Sequence, residues 1–130
     1  MTSIYHPWLG LPHAIGADPR EGQGACCLVM AALLLEDAGR EMPPIERWLE
    51  MAQRGEWEPL RDAFYRHTEE LAQAETYSLT LLEDTNEGLG IGIVIPGRLL
   101  LAPLHTRGVS TIPLFAMPAE TTYHRVISYE

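Results

Sequence analysis

Lysine is absent from this 130-residue chain, so all nine of its Lys-or-Arg positions are arginine. Without a lysine, and without a following Ser/Thr, the glycines at 22 and 24 cannot form a phosphate-binding loop of the GxxxxGK[ST] kind. Cysteine is nearly absent too, and the two present, Cys26 and Cys27, are neighbours. A disulfide fits a trans dipeptide poorly, and two sulfurs without a second pair make a poor zinc site. No pair of the five histidines has metal-ligand spacing, so neither a metal nor another cofactor is expected. Long apolar runs are also missing. The longest extends from Ala25 to Leu35, short of the roughly 20 residues that cross a bilayer. The opening "MTSIYHPWLGLPH" has no basic n-region and no apolar core, which predicts no signal peptide and a soluble protein made in a cytoplasm.

Acidic charge, by contrast, is plentiful. The net charge is −9, and the stretch from Glu36 to Glu87 accounts for all of it, with 14 acids against 5 arginines. Such a surface repels phosphate backbones and argues against a nucleic-acid partner. It reads more simply as the solvated face of helices.

No internal repeat, low-complexity tract or linker interrupts the chain, which predicts one domain over residues 1–130. Periodicity divides it into a helical first half and a stranded second half, an α+β arrangement. After a Pro- and Gly-rich opening, a central buried helix is predicted over about 25–38, apolar all round from Leu28 to Leu35. Gly39 and Pro43-Pro44 end it. A second helix carries Ile45, Trp48, Leu49 and Ala52 on one face, and a third, over about 59–74, carries Leu60, Phe64, His67 and Leu71. Five strands follow, "YSLTLLE", "LGIGIVI", "RLLLAPL", "VSTIPLFAM" and "TTYHRVISY", with a tight turn at Pro96-Gly97. Short connections predict an antiparallel sheet.

Three patterns occur in order: "HPWLGLPH" (6–13), the glycine-rich approach "GADPREGQGACC" into the buried helix, and "GLGIGIVIPGRLLLAPLHTRGVSTIPL" (88–114). Together they resemble the NlpC-type cell-wall cysteine peptidases, in particular the short versions found in bacteriophage tails. Those look like W-[I/L]-G-T-P-Y, then a glycine-rich loop ending in D-C, then H-[V/L]-G-I-V and a G-R hairpin. Trp8, Gly10 and Pro12 match the first element; Gly92, Ile93, Val94, Gly97 and Arg98 match the last, followed by Arg107, Gly108 and Val109.

The resemblance implies a papain-like fold, with a cysteine at the N-terminus of the central helix and a histidine on the sheet. A helix N-terminus favours the thiolate; the imidazole pairs with it and later protonates the leaving amine. The chain departs from this pattern at its reactive positions. Gly90 falls where the base histidine stands, Leu101 near the residue that orients it, and the aspartate before the nucleophile is missing. Ala25, Cys26 and Cys27 can each be aligned with the nucleophile, with Cys27 preferred; both cysteines also read as small core residues. His105, beyond the third strand, is the candidate substitute base. His13 reads as a pocket wall, His67 as a half-buried core residue, and His6 and His124 have no partner pattern. Trp8 and Trp48 read as core, and Trp57 in "GEWEP" as either an interface anchor or a cover over the core.

By resemblance, the expected function is a catalytically degenerate NlpC-like domain, a pseudoenzyme retained as a structural or docking part of a phage tail tip or hub. It would then reside in the virion after assembly in the host cytoplasm, with other tail proteins as partners and no membrane insertion. Two alternatives stand beside it. One is an active peptidoglycan endopeptidase or amidase using Cys27 or Cys26 with His105. The other is a module that binds peptidoglycan without cutting it.

Overall fold

In a computed structural model of the chain, the most apolar stretch forms helix α1 (Cys27–Asp37), seven of whose residues are buried. The structure describes residues 4–84, 88–101 and 108–127. The helix is two residues shorter at its start than predicted, because Ala25 and Cys26 are held outside it. Ala25 bridges His13, and Cys26 is extended at φ −105° and serves as the N-cap. Gly39 turns left-handed at φ +69° and ends the helix as expected.

Helix α2 (Ile45–Gln53) starts directly after Pro43-Pro44, and α3 (Trp57–Arg66) follows. Both are amphipathic, burying Trp48 and Ala52 from α2 and Leu60, Ala63 and Phe64 from α3. The Trp48 and Phe64 rings meet at 5.9 Å, joining the two helices in the core. Trp57 opens α3.

The sheet has six strands where five were predicted, all paired antiparallel, in the order β1-β6-β2-β3-β4-β5. The additional strand is β1 (Thr68–Leu71), within the segment predicted as the end of the third helix. Helix α3 stops at Arg66, and His67 and Leu71 do not continue its apolar face. The competing interaction is tertiary: Thr68–Leu71 pairs with β6 (Tyr123–Val126), and Arg125 bonds Glu69 across the pair. The other strands are β2 (Leu79–Asp84), β3 (Gly88–Ile95), β4 (Arg98–Leu101) and β5 (Ser110–Pro113). After β5 the predicted strand becomes a single 3-10 turn over Leu114–Ala116.

Pro96-Gly97 joins β3 to β4 as a two-residue turn, with Ile95 opposite Arg98 and Gly97 at φ +73°. Proline followed by a left-handed glycine is the signature of a type II turn. Leu89, Ile91, Ile93 and Ile95 alternate along β3 and share one core with α1, α2 and α3, while Val94 is buried on the opposite face. Thus α1 lies against β3, with its N-terminus beside the beginning of that strand. No helix among the described residues is long and apolar enough to cross a membrane.

Candidate functional site

Three segments far apart in sequence converge at the start of α1. The backbone of 12–17 sheathes Ala25 and Cys26: the amide of Ala25 donates to Pro12, that of Ala14 to Ala25, and that of Cys26 to Ala17. The turn that follows is fixed by Asp18, whose carboxylate accepts from the Arg20 amide and from its guanidinium. These bonds hold the Asp18 carboxyl below its usual range. On the other side, Gly10 donates to Val109 at 2.8 Å and Val109 to Leu11 at 2.7 Å, tying the first motif to the last.

Within this frame the two cysteines differ. Cys26, at the N-cap, makes no capping hydrogen bond through its sulfur, yet the Cys27 thiol donates toward it. The amides of Gly16, Val29 and Leu28 add their dipoles, and together these outweigh burial and bring the Cys26 thiol down to about 6. Gly16 can turn its amide this way because it lies at φ +83°. Cys27, the first residue of α1, is pushed the other way. It donates a hydrogen bond to the neighbouring sulfur and is buried, although it accepts the Ile91 amide at 3.4 Å. The Cys26 thiol is thus shifted down and the Cys27 thiol up. No imidazole among the described residues contributes to either shift.

Gly90 begins beside the thiol. A β-carbon built on it would lie 3.8 Å from Cys27 Sγ, its nearest neighbour. Any side chain at position 90 would start against that sulfur, and glycine supplies none. Leu101 ends β4 opposite Ser110, half-buried and aliphatic. His105 lies outside the described residues.

The two cysteines line a cavity of about 20 Å³ with His13, Ile15, Leu28, Ala52, Trp57 and Leu89. That is room for a single water. His13 is thus a wall of the cysteine cavity, and Trp57 covers it while packing on the core. His6 is exposed on the first turn, and His67 caps the end of α3, half-buried. His124, which has no sequence signal, is 3% exposed between Phe64 and Tyr65, with Thr122 Oγ1 3.0 Å from Nε2. Its partners lie on other elements or turn on the β1–β6 pairing, so no local pattern could mark it. Among the described residues, no cluster of three His, Cys, Asp or Glu side chains could hold a metal.

A scan against protein-family models gives no match for this chain, and a search of curated proteins gives none either.

Proposed function

We propose that the chain is an NlpC-like domain of papain type that has lost its catalytic base, and that it serves as a structural or docking component of a bacteriophage tail tip. The observation that carries this reading is Gly90, whose missing side chain would begin 3.8 Å from Cys27 Sγ. A cysteine hydrolase needs an imidazole there to take the thiol proton and return it to the leaving amine. Burial supports the same reading. Cys26 is 2% and Cys27 6% exposed, and a cavity of about 20 Å³ admits no peptide carbonyl. The assignment to a tail rests on the resemblance of residues 6–13 and 88–114 to the phage members of the family. A docking role is supported by Phe115, which is 90% exposed just after the edge strand β5. Aromatic side chains of this kind dominate binding energy when a partner covers them.

A second reading has one observation in its favour: a thiol held near 6 is poised as a nucleophile. It is the endopeptidase or amidase using Cys27 or Cys26 with His105. Incubating the folded chain with peptidoglycan stem peptides separates the two. The pseudoenzyme reading expects no cleavage and no heat on titration with muropeptides, together with capture by tail-tip proteins that Phe115→Ser weakens. Cleavage that disappears in Cys26→Ser or Cys27→Ser would overturn it in favour of the enzyme. Heat without cleavage would favour the non-cleaving peptidoglycan-binding module.

A further inference from the structure

Among the described residues, two arginines of this acidic chain have neither a carboxylate, a threonine nor an aromatic ring as partner. Of the described arginines, Arg20, Arg54, Arg61 and Arg125 are ion-paired with Asp18, Glu50, Glu83 and Glu69. Arg98 donates to Thr111, and Arg40 lies over the Tyr77 ring at 5.4 Å. Arg47 of α2 and Arg66 of α3 are left, exposed and in no ion pair among the described residues, although the net charge of the chain is −9. Both line one cavity of about 710 Å³, together with His67. It lies at the far end of the α2–α3 pair from the cysteines, where α2 begins and α3 ends.

The placement concentrates positive charge. Burial, then the fields of Arg66 and Arg47, hold the His67 imidazole below its usual range, so both guanidiniums act on the same spot. Glu46 is the one acid in the lining. Glu50 and Asp62 sit along the adjoining groove but form no ion pair with either arginine. Pro44, the N-cap of α2, offers no side-chain acceptor to the amides that begin the helix. Pro43, Pro44 and Ile45 supply a mostly apolar wall.

We propose that this cavity binds a phosphate-bearing small molecule, its phosphate held by Arg47 and Arg66 beside the start of α2. Guanidinium forks match oxyanions in bidentate fashion. Two forks on separate helices can each grip a different pair of phosphate oxygens, whereas a carboxylate offers a single pair, which favours phosphate. A volume of about 710 Å³ is within the usual range for small-molecule sites, and its concavity suits such a ligand better than a flat protein surface.

The test is a titration of the full chain with inorganic phosphate at fixed ionic strength, followed by amide NMR. Saturable shifts at Glu46, Arg47 and His67 are expected. Arg47→Gln and Arg66→Gln should each weaken binding by about tenfold. Arg54→Gln, at an ion-paired arginine that caps the end of α2, should leave it unchanged. All three positions are exposed, and the dispersion of each spectrum reports folding independently of binding. The proposal is overturned if phosphate moves these amides no more than chloride does, or if both variants bind as the parent does. Equal affinity for acetate overturns the preference for phosphate. A glutamate-rich peptide that binds here when phosphate does not overturns the small molecule in favour of an acidic protein partner.

Discussion

A β-carbon on Gly108 would lie 2.6 Å from the carbonyl oxygen of Gly10, and closer still to that of Leu11. Only a residue without a side chain can let the last motif lie this near the first. The approach is fixed by the bonds of Val109 to Gly10 and Leu11 on either side of it, so neither backbone can retreat without breaking them. Gly108 is also left-handed, at φ +67°. Gly108→Ala should therefore destabilise the fold by roughly 2–4 kcal/mol, the left-handed conformation alone costing about 1–2. Urea denaturation measures the loss. Exchange protection of the Gly10 and Val109 amides should fall with it.

Two glycines on β3 should respond differently to the same substitution. At Gly92 an added β-carbon would come 2.9 Å from both methyl carbons of Leu99, which is fully buried and has nowhere to move. At Gly90 the nearest atom is Cys27 Sγ, at an ordinary contact distance of 3.8 Å. Gly92→Ala should cost about 1–3 kcal/mol through overpacking. Gly90→Ala should stay within about 1 kcal/mol of the parent, since relief of unfolded-chain entropy offsets any small crowding. Paired denaturation curves decide it. A large loss at position 90 would mean that glycine is there for packing and not because a reactive side chain is missing.

The contrast between those glycines bears on what the sequence discloses. Its local signals were legible: the apolar run that becomes α1, the Pro43-Pro44 break, the turn at Pro96-Gly97 and the antiparallel character of the sheet. What escaped was decided at long range. Thr68–Leu71 continues the helical spacing of Leu60 and Phe64, and no Gly or Pro stops it; pairing with β6 turns it into a strand. His124 is buried by Phe64 and Tyr65, some sixty positions away in the chain. At the cysteines, sequence identified the helix N-terminus, but the downward shift of Cys26 and the upward shift of Cys27 depend first on the contact between the two thiols, then on their burial and on amides such as that of Gly16.

Acid should weaken the fold through His124 and His67. Burial holds the His124 imidazole below its usual 6.5, with Glu70 opposing. The unfolded chain therefore binds a proton at a higher pH than the folded one. Stability is unaffected well above pH 6.5 and falls as pH drops through that value toward the lower folded pKa. His67 shifts in the same direction. His124→Gln should flatten the acid limb of the stability profile in part, and adding His67→Gln should flatten it further. Denaturation midpoints across this range measure both effects.

The cysteine pair should produce a separate dependence at higher pH, with both signs in one profile. Cys26 titrates near 6 in the folded protein, and an ordinary thiol near 8.5 when unfolded. Between these values the unfolded chain holds the extra proton, so raising the pH stabilises the fold. Cys27 is shifted upward, so above the ordinary thiol range the folded protein keeps a proton that the unfolded chain has lost. Raising the pH there destabilises it, and the contribution of the pair peaks between the two limbs. Cys26→Ser should remove the rising limb while changing stability little near pH 6, because serine is a good N-cap at the start of α1. Cys27→Ser should remove the falling limb, while its hydroxyl can still donate to the Cys26 sulfur. Thiolate absorbance followed through a pH titration of the parent and both variants reads the assignment directly. If the low-pH step survives in Cys26→Ser and vanishes in Cys27→Ser, the thiolate resides on Cys27, against the Ile91 amide.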